Sequence, residues 1–598
     1  MSDRLPHWDM SVVYPGLDSP EFEAAMVDAI AEMDALVALF ADHAIGPRGT
    51  SDVDDETVRV FEEVMTHLNA TFAKESGLVA YIHGFIATDS TNELAQAKNS
   101  ELSQHWLKVQ MLDARLTAWL GSLDVDTLID RSEVAADHEF MVRRAKVEAE
   151  HLMSPGEEVL AAQLSLSGGS AWRKLYGNFT SQLTVELELD GKTEEHPMSA
   201  VRNLAHNPNR DVRRKAYEAE LAAWETSAVP IAAALNSVKG ETNTLSAGRL
   251  WASPLDEACH GNNMDRESLD AMMSAAREAF PHFRRYLRAK AKAIGVDRLA
   301  WYDLFATVGG DESAWRYADA EDFILEHFAT YSADMRDLAA RAFSERWIDA
   351  EPRAGKVDGA FCMRLRDDES RILTNFKPSF SGVRTLAHEL GHAYHNLRLA
   401  IRTPLQRSTP MVLAETASTF CETIVREASL RTASEAEQLV IVENTLESAC
   451  QVVVDITCRY LFEQETFERR RDRELSVSEL NDIMLRAQLD TYGDALDPNL
   501  LHPYMWAAKP HYYGQSYYNF PYMFGLLFGL GLYARYSEAP DAFRASYDDL
   551  LSSTGMADAG ELSARFGIDI RTPEFWAGSL DLIRQDVDRF EALVAARG

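Results

Sequence analysis

Val383-Arg384-Thr385-Leu386-Ala387-His388-Glu389-Leu390-Gly391-His392-Ala393-Tyr394-His395 is the stretch from which the rest of the chain can be read. Val383, Leu386, Leu390, Ala393 and Tyr394 recur at helical spacing and share one face, whereas His388, His392 and His395 gather on the other. On an α-helix His388 and His392 stand one turn apart, about 40° from each other around the axis, so both imidazoles can grip one metal ion. Glu389, about 100° from His388, sits beside such an ion, where a carboxylate can act as a general base toward water. Gly391 lies next to the histidine stripe at a helix cost of about 1 kcal/mol relative to Ala, and its missing side chain lets a backbone or a ligand come close. A chain with 17 His and 94 acidic residues in 598 meets the His-acid-x-x-His pattern by chance roughly 0.08 times. The competing reading is an amphipathic helix with incidental histidines, and the acid and glycine between them weigh against it.

A catalytic zinc commonly has three protein ligands and a water, so a third ligand is required. A pattern continuing to a glycine and a third histidine fails here, because position 395 is His and position 398 is Arg. The alternative is a glutamate on a second helix some twenty residues on, and Met411-Val412-Leu413-Ala414-Glu415-Thr416-Ala417-Ser418-Thr419-Phe420-Cys421-Glu422 provides Glu415, 23 residues after His392. Pro404, Ser408, Thr409 and Pro410 form the loop that turns the chain back. Glu422 returns to the same helical face and either orients a ligand or pairs with Arg426 at i+4. His395 competes as a ligand, but three ligands from one helix would splay around a tetrahedral ion, so it reads as structural or substrate-facing.

Thr385 to His395 followed by Ala414 to Phe420 resembles the oligoendopeptidase F branch of the thimet oligopeptidase family. So do Trp8-Asp9-Met10-Ser11-Val12-Val13-Tyr14-Pro15-Gly16-Leu17 and Tyr518-Asn519-Phe520-Pro521-Tyr522-Met523-Phe524-Gly525. The matches touch both ends and the middle of the chain. The resemblance implies a mainly α, two-lobed helical assembly that encloses a channel, with small β-hairpins near the active site and in the N-terminal half. It also implies one zinc ion per chain and cleavage inside short peptides.

Composition narrows the alternatives. At 598 residues the chain exceeds a single core, so two or more lobes or one large helical assembly are expected. The formal charge of −35 argues against nucleic-acid binding. No basic segment precedes an apolar one at the N-terminus, so no secretory signal is readable. The apolar run from Phe520 to Ala534 is too short for a membrane span and reads as a buried helix. Five cysteines without paired spacing read as reduced core residues of a cytoplasmic protein.

Most of the chain reads as helix. Phe22, Met26, Ala29, Met33, Leu36 and Phe40 keep the 3.6-residue period up to His43, and further amphipathic segments cover 54–75, 91–120, 156–169, 198–224 and 228–247. Leu183, Val185, Leu187 and Leu189 alternate with polar residues and end at Asp190-Gly191, a hairpin signal. A second hairpin is expected from Gly359 to Leu365 and Arg371 to Phe376, around a polar turn at 366–370. In the related peptidases a strand at this place forms an edge that binds extended substrate. The chain divides into an N-terminal helical region with a small hairpin, residues 1–200, and a catalytic region, residues 201–598.

His502 to Tyr522 is dense in His and Tyr without a clean helical period, and places His511 and Gly514 in a loop. Such a run is ordinarily packing, yet cleavage of a peptide needs donors aimed at the carbonyl oxygen. The resemblance carries those roles to His511 and Tyr518, with Tyr522 beside the substrate. The spacing from His511 is one residue longer than the branch's commoner pattern, so Tyr517 competes with Tyr518. The resulting expectation is a zinc endopeptidase with His388, His392 and Glu415 as ligands and Glu389 as base, acting on short peptide substrates. A zinc carboxypeptidase and a catalytically silent peptide-binding protein are the alternatives, and oligomeric state is left open.

Overall fold

The computed structural model describes residues 4–189, 191–310 and 314–597 and is mainly α-helical, with five short strands in two small sheets among those residues. The chain folds into two compact units, each gathered from three segments. The first takes the described residues of Met1–Leu152, Ser313–Ser429 and Arg535–Gly567, and the second those of Met153–Glu312, Leu430–Ala534 and Ile568–Gly598. The metal-motif helix belongs to the first unit, and the His- and Tyr-rich run to the second.

In the first unit the helix Pro20–Asp42 starts where expected, with the Ser19 hydroxyl accepting the Phe22 N–H and proline at the first turn. Its buried face carries Phe22, Met26, Ala29, Met33, Leu36 and Phe40. The next helix, Asp55–Thr88, runs thirteen residues beyond the expected 54–75, because Leu78, Tyr81 and Ile82 keep the buried face going. Gly84 in that helix makes room for the N-terminal segment, since a Cβ there would meet Met10 Cε at 2.5 Å. The expected helix over 91–120 is two helices, Glu93–Gln110 and Asp113–Ser122, separated by a turn in which the Leu112 N–H bonds the Val109 carbonyl at 2.9 Å.

The second hairpin is present, with a shorter turn than expected. Strand β4 (Ala360–Arg366) pairs antiparallel with β5 (Glu369–Thr374), so Glu369 and Ser370 are ladder residues and only Asp367-Asp368 turn the chain. Strand β3 (Ile348–Asp349) joins β5 in parallel, which puts β5, buried at every position, in the middle and leaves β4 as an edge. The metal-motif helix packs on this β4–β5 pair.

In the second unit β1 (Thr184–Leu189) and β2 (Lys192–Pro197) form the first expected hairpin, and Gly191 takes the left-handed conformation at φ 77°. The Asp190 half of the expected turn lies outside the described residues. Residues 198–247 depart from expectation: a short helix, Met198–Asn203, precedes one 39-residue helix, Arg210–Gly248, that runs unbroken through Pro230. A proline in a helix interior costs about 3 kcal/mol. Buried Trp224, Ala228, Ile231 and Leu235 on both sides of it supply the packing that outweighs this. The apolar run from Phe520 is a helix, Phe520–Glu538, lined with buried residues. No helix among the described residues is long and apolar enough to cross a membrane. All five cysteines are free thiols, four of them buried.

The core of the second unit also holds charge. Lys290, fully buried, donates to Glu443 at 2.6 Å, Glu447 at 2.8 Å and the Leu304 carbonyl at 2.8 Å. Removing one partner of a buried ion pair costs about 3–5 kcal/mol, whereas an exposed pair contributes up to about 1 kcal/mol. Lys290→Met should therefore lower the thermal midpoint by several degrees. Lys108→Met, which breaks an exposed pair with Asp34, should leave it within about a degree. Comparing the two melting curves checks this.

Candidate active site

The helix Phe380–Leu399 carries the motif on the faces read from its periodicity. Val383, Leu386, Leu390, Ala393 and Tyr394 are buried, while His388 and His392 keep 27 % and 22 % of their side-chain exposure, enough for solvent or substrate to reach them. Glu415 falls between a short helix, Met411–Ala414, and the helix Thr416–Thr432, at a break in the helix expected to carry it. That break lets the carboxylate swing toward the histidines: Glu415 Oε2 lies 3.2 Å from His388 Nε2 and 3.5 Å from His392 Nε2.

Gly391 permits this approach. A Cβ there would meet Ser418 Cα at 2.6 Å and the Ala417 carbonyl oxygen at 2.7 Å, so the close neighbour is the backbone just beyond Glu415. Ser418 Oγ donates to the same oxygen, Glu415 Oε2, at 2.7 Å and helps to fix the carboxylate.

The donor set fits a metal ion. His388, His392 and Glu415 each offer one atom, all within 4.8 Å of one another. A tetrahedral ion with bonds of about 2.0–2.1 Å holds its ligand atoms about 3.3 Å apart, close to the two distances above. His388 Nδ1–H donates to Glu422 Oε2 at 3.1 Å, which selects the tautomer that leaves Nε2 free. Glu422 is held in turn by Arg384, whose Nε donates to Oε1 at 3.0 Å, while Arg426 reaches Glu427. Arg384 carries no motif of its own in the sequence, although its place four residues before His388 puts it on the same face.

Electrostatics point the same way. Burial opposes a charged His388, but hydrogen bonds and charge from Glu415 and Glu422 prevail and push its pKa up to about 10, so the locale favours positive charge. Burial holds His392 down at about 4. Glu415 is desolvated as well, yet the two histidines bring it down to about 2. Glu422 lies well below the usual carboxylate range, since Arg384 and His388 overcome its burial. Glu389 is the exception: burial pushes its carboxyl up to about 7, and its Oε2 is enclosed without a hydrogen-bond partner. A buried acceptor without a partner, with His388, Glu415 and Glu422 as its charged neighbours, calls for a role beyond packing. His395 packs as structure, with Nε2 3.2 Å from the Leu551 carbonyl and 2.9 Å from Thr554 Oγ1.

The remaining candidates sit together in the second unit. His511 opens a short helix, His511–Gly514, where a loop was expected. Its ring stacks on Tyr518 at 4.8 Å between centroids and 10° between planes, and Tyr518 Oη is 2.7 Å from Tyr522 Oη. His511 Nδ1 is enclosed without a partner, and burial with nearby Arg459 and Lys509 lowers the ring's pKa. Tyr517 faces elsewhere. It takes a left-handed φ of 51°, and its buried ring lies against Phe467 at 5.4 Å and Tyr460 at 5.7 Å.

A catalytic acid/base candidate, a three-donor metal cluster and a helical scaffold define a metallopeptidase class of site. The sequence profile described as Peptidase family M3 matches residues 203–582, and one described as Oligopeptidase F matches residues 120–184. The chain belongs to peptidase family M3 and is a metallopeptidase. Among curated relatives it is similar to an oligoendopeptidase F homolog from Lactococcus lactis subsp. lactis, 24 % identical over 481 residues, 80 % of this chain and 78 % of the relative. Among solved structures it is similar to a candidate peptidase from Chlamydophila abortus, with a TM-score of 0.84 at 19 % identity, covering 98 % of each chain. It is also similar to oligoendopeptidase-F from Enterococcus faecium, with a TM-score of 0.70 at 17 % identity, covering 96 % of this chain and 99 % of the other. At those identities the structures speak for the mainly α fold.

The Gly391 contact is directly testable. Gly391→Ala should push the Ala417–Ser418 backbone away and lower both thermal stability and retained metal. Gly177→Ala, with open space around its Cβ position inside an exposed stretch of helix, should leave the retained metal unchanged and hold or slightly raise stability. Melting curves and metal analysis of the two variants decide it.

Proposed function

We propose that the protein is a zinc-dependent oligoendopeptidase that cleaves internal bonds of short, unstructured peptides, with one zinc per chain held by His388, His392 and Glu415. The convergence of those three donors beside the unpartnered oxygen of Glu389 carries the reading. When bound there, zinc supplies Lewis acidity toward a carbonyl oxygen and brings the pKa of water toward neutrality. Glu389 takes a proton from the attacking water at its enclosed oxygen and delivers it to the leaving nitrogen. Glu422 and Arg384 orient His388.

His511 and Tyr518 donate to the carbonyl oxygen as it gains charge, a role supported by the enclosed His511 nitrogen and the stack of the two rings. Tyr522, whose hydroxyl meets that of Tyr518, contacts the substrate, and Tyr517, packed against Phe467 and Tyr460, acts through packing. The edge strand β4 offers backbone groups for an extended peptide. The matched ranges support reading residues 1–200 as an N-terminal region and 201–598 as the catalytic region, a division along the sequence that differs from the two compact units. Five free thiols support a cytoplasmic location.

Base and ligand separate under mutation. Glu389→Gln should retain about one zinc per chain while turnover falls at least about 10²-fold, whereas His392→Ala should lose most of the metal along with activity. Metal analysis beside an activity assay checks both, and full zinc occupancy in H392A would remove the ligand assignment.

Substrate form is the second test. A folded protein must open locally, at a cost drawn from its stability of about 5–15 kcal/mol, before its chain can reach a half-buried site. Mass spectrometry of a peptide mixture and one intact folded protein, with and without chelator, should show chelator-sensitive internal cleavage of the peptides and little attack on the protein. Strict removal of single C-terminal residues would instead establish a carboxypeptidase.

A further inference from the structure

Two helices of the second unit, Glu435–Cys450 and Ile456–Arg470, are joined by a π-helical turn, Gln451–Asp455. Such a turn takes in an extra residue and shifts the phase of the helix beyond it, and it recurs at functional sites. Asp455 ends the turn, buried. It accepts a hydrogen bond from Arg459 one turn on, and its Oδ2 lies 3.9 Å from Lys509 Nζ. Arg459 Nη1 donates onward to Asn519 Oδ1 at 2.9 Å.

Both contacts lead to the same place. Lys509 stands two residues before His511, and the Ala508 carbonyl just ahead of it accepts from Arg202 at 3.0 Å. Asn519 directly follows Tyr518, and its carbonyl accepts the Tyr522 N–H at 3.2 Å. One buried carboxylate, through two cations, thus ties both flanks of the stacked His511–Tyr518 pair.

We infer that Asp455 and Arg459 are positioning residues for His511 and Tyr518, acting through Lys509 and Asn519 to hold the two rings at the separation and tilt the reaction needs. The inference rests on the oxyanion role proposed above for that pair. A role in stability alone gives no reason for this design, because well-packed apolar side chains commonly serve as well as a buried ion cluster. Two cations fanning from one acid to the two sides of a ring pair fix a geometry instead, and displacing a catalytic donor by about 1 Å can cost 10²-fold in rate.

The test uses the full-length zinc-loaded enzyme and an internally quenched peptide. Asn519→Ala removes only the acceptor at the end of the relay and leaves the Asp455–Arg459 pair in place. It should lower kcat at least about 10-fold with KM within about two-fold of the parent. Asn519→Asp, which keeps an acceptor for Arg459, should stay within about three-fold of the parent, and Asp455→Asn should fall like N519A. Because the effect passes through the ring pair, N519A should cost less than about two-fold more once Y518F is present. Zinc content and melting curves of each variant accompany the kinetics.

A parental kcat in N519A and D455N, or the same N519A loss with and without Y518F, overturns the positioning role. If H511A and Y518F themselves keep a parental kcat, the oxyanion reading fails, and the positioning role fails with it. Full losses in H511A and Y518F beside unaffected N519A and D455N remove the positioning role alone.

Discussion

The metal cluster depends on one steric fact, the absence of a side chain at position 391. Two helical segments can bring ligands to a common point only if their backbones approach closely, and the Ala417–Ser418 backbone lies where a Cβ of residue 391 would be. With that approach made, Glu415 at its helix break reaches both imidazoles, and the Ser418 hydroxyl bonds the same carboxylate oxygen. Gly391 thus sacrifices local helix stability, about 1 kcal/mol, for a geometry no larger residue allows.

The charges around that point form a graded series. Glu415 and Glu422 are ionised acids held low by hydrogen bonds and positive charge, and together they make the space around His388 favourable to a cation. At Glu389 burial outweighs the charge of His388, and the neighbouring Glu415 and Glu422 add to it, so its proton affinity rises. Neighbouring carboxylates therefore differ in proton affinity because their surroundings differ, which is the contrast that the proposed roles of ligand and base require.

The range of each interaction decides whether the sequence reveals it. The histidine pair, the acid between them and the apolar back of their helix are set by spacing within one helix, and they are legible residue by residue. Glu415 is legible through its distance along the chain, but the break in the helix that aims it is not, since no proline or glycine marks it. Glu422 leaves two partners open because a helix pattern proposes only its own i+4 neighbour. Arg384 answers from another helix, which no local pattern records. The gap expected between 224 and 228 fails for the opposite reason: a local interruption of the pattern there is overridden by burial along 39 residues. The small hairpin before the metal helix is legible in kind but not in the length of its turn, because Glu369 is a polar residue that β5 nevertheless buries.

The choice between Tyr517 and Tyr518 shows why spacing alone could not decide. Adjacent side chains point to different sides of the backbone, so which of the two rings turns to His511 depends on a local conformation that spacing does not record. The left-handed φ at Tyr517 is strained for a residue with a Cβ. It turns the Tyr517 ring back among Phe467 and Tyr460, and Tyr518 is left stacked on His511 and bonded to Tyr522. The strain is balanced by burying an aromatic ring, worth about 1.5–3 kcal/mol, against about 1–3 kcal/mol for a rare backbone conformation. A ring placed by such a near balance needs further support to hold its partner's tilt. The Asp455–Arg459–Asn519 relay anchors the residue directly after Tyr518, at the point where that support acts.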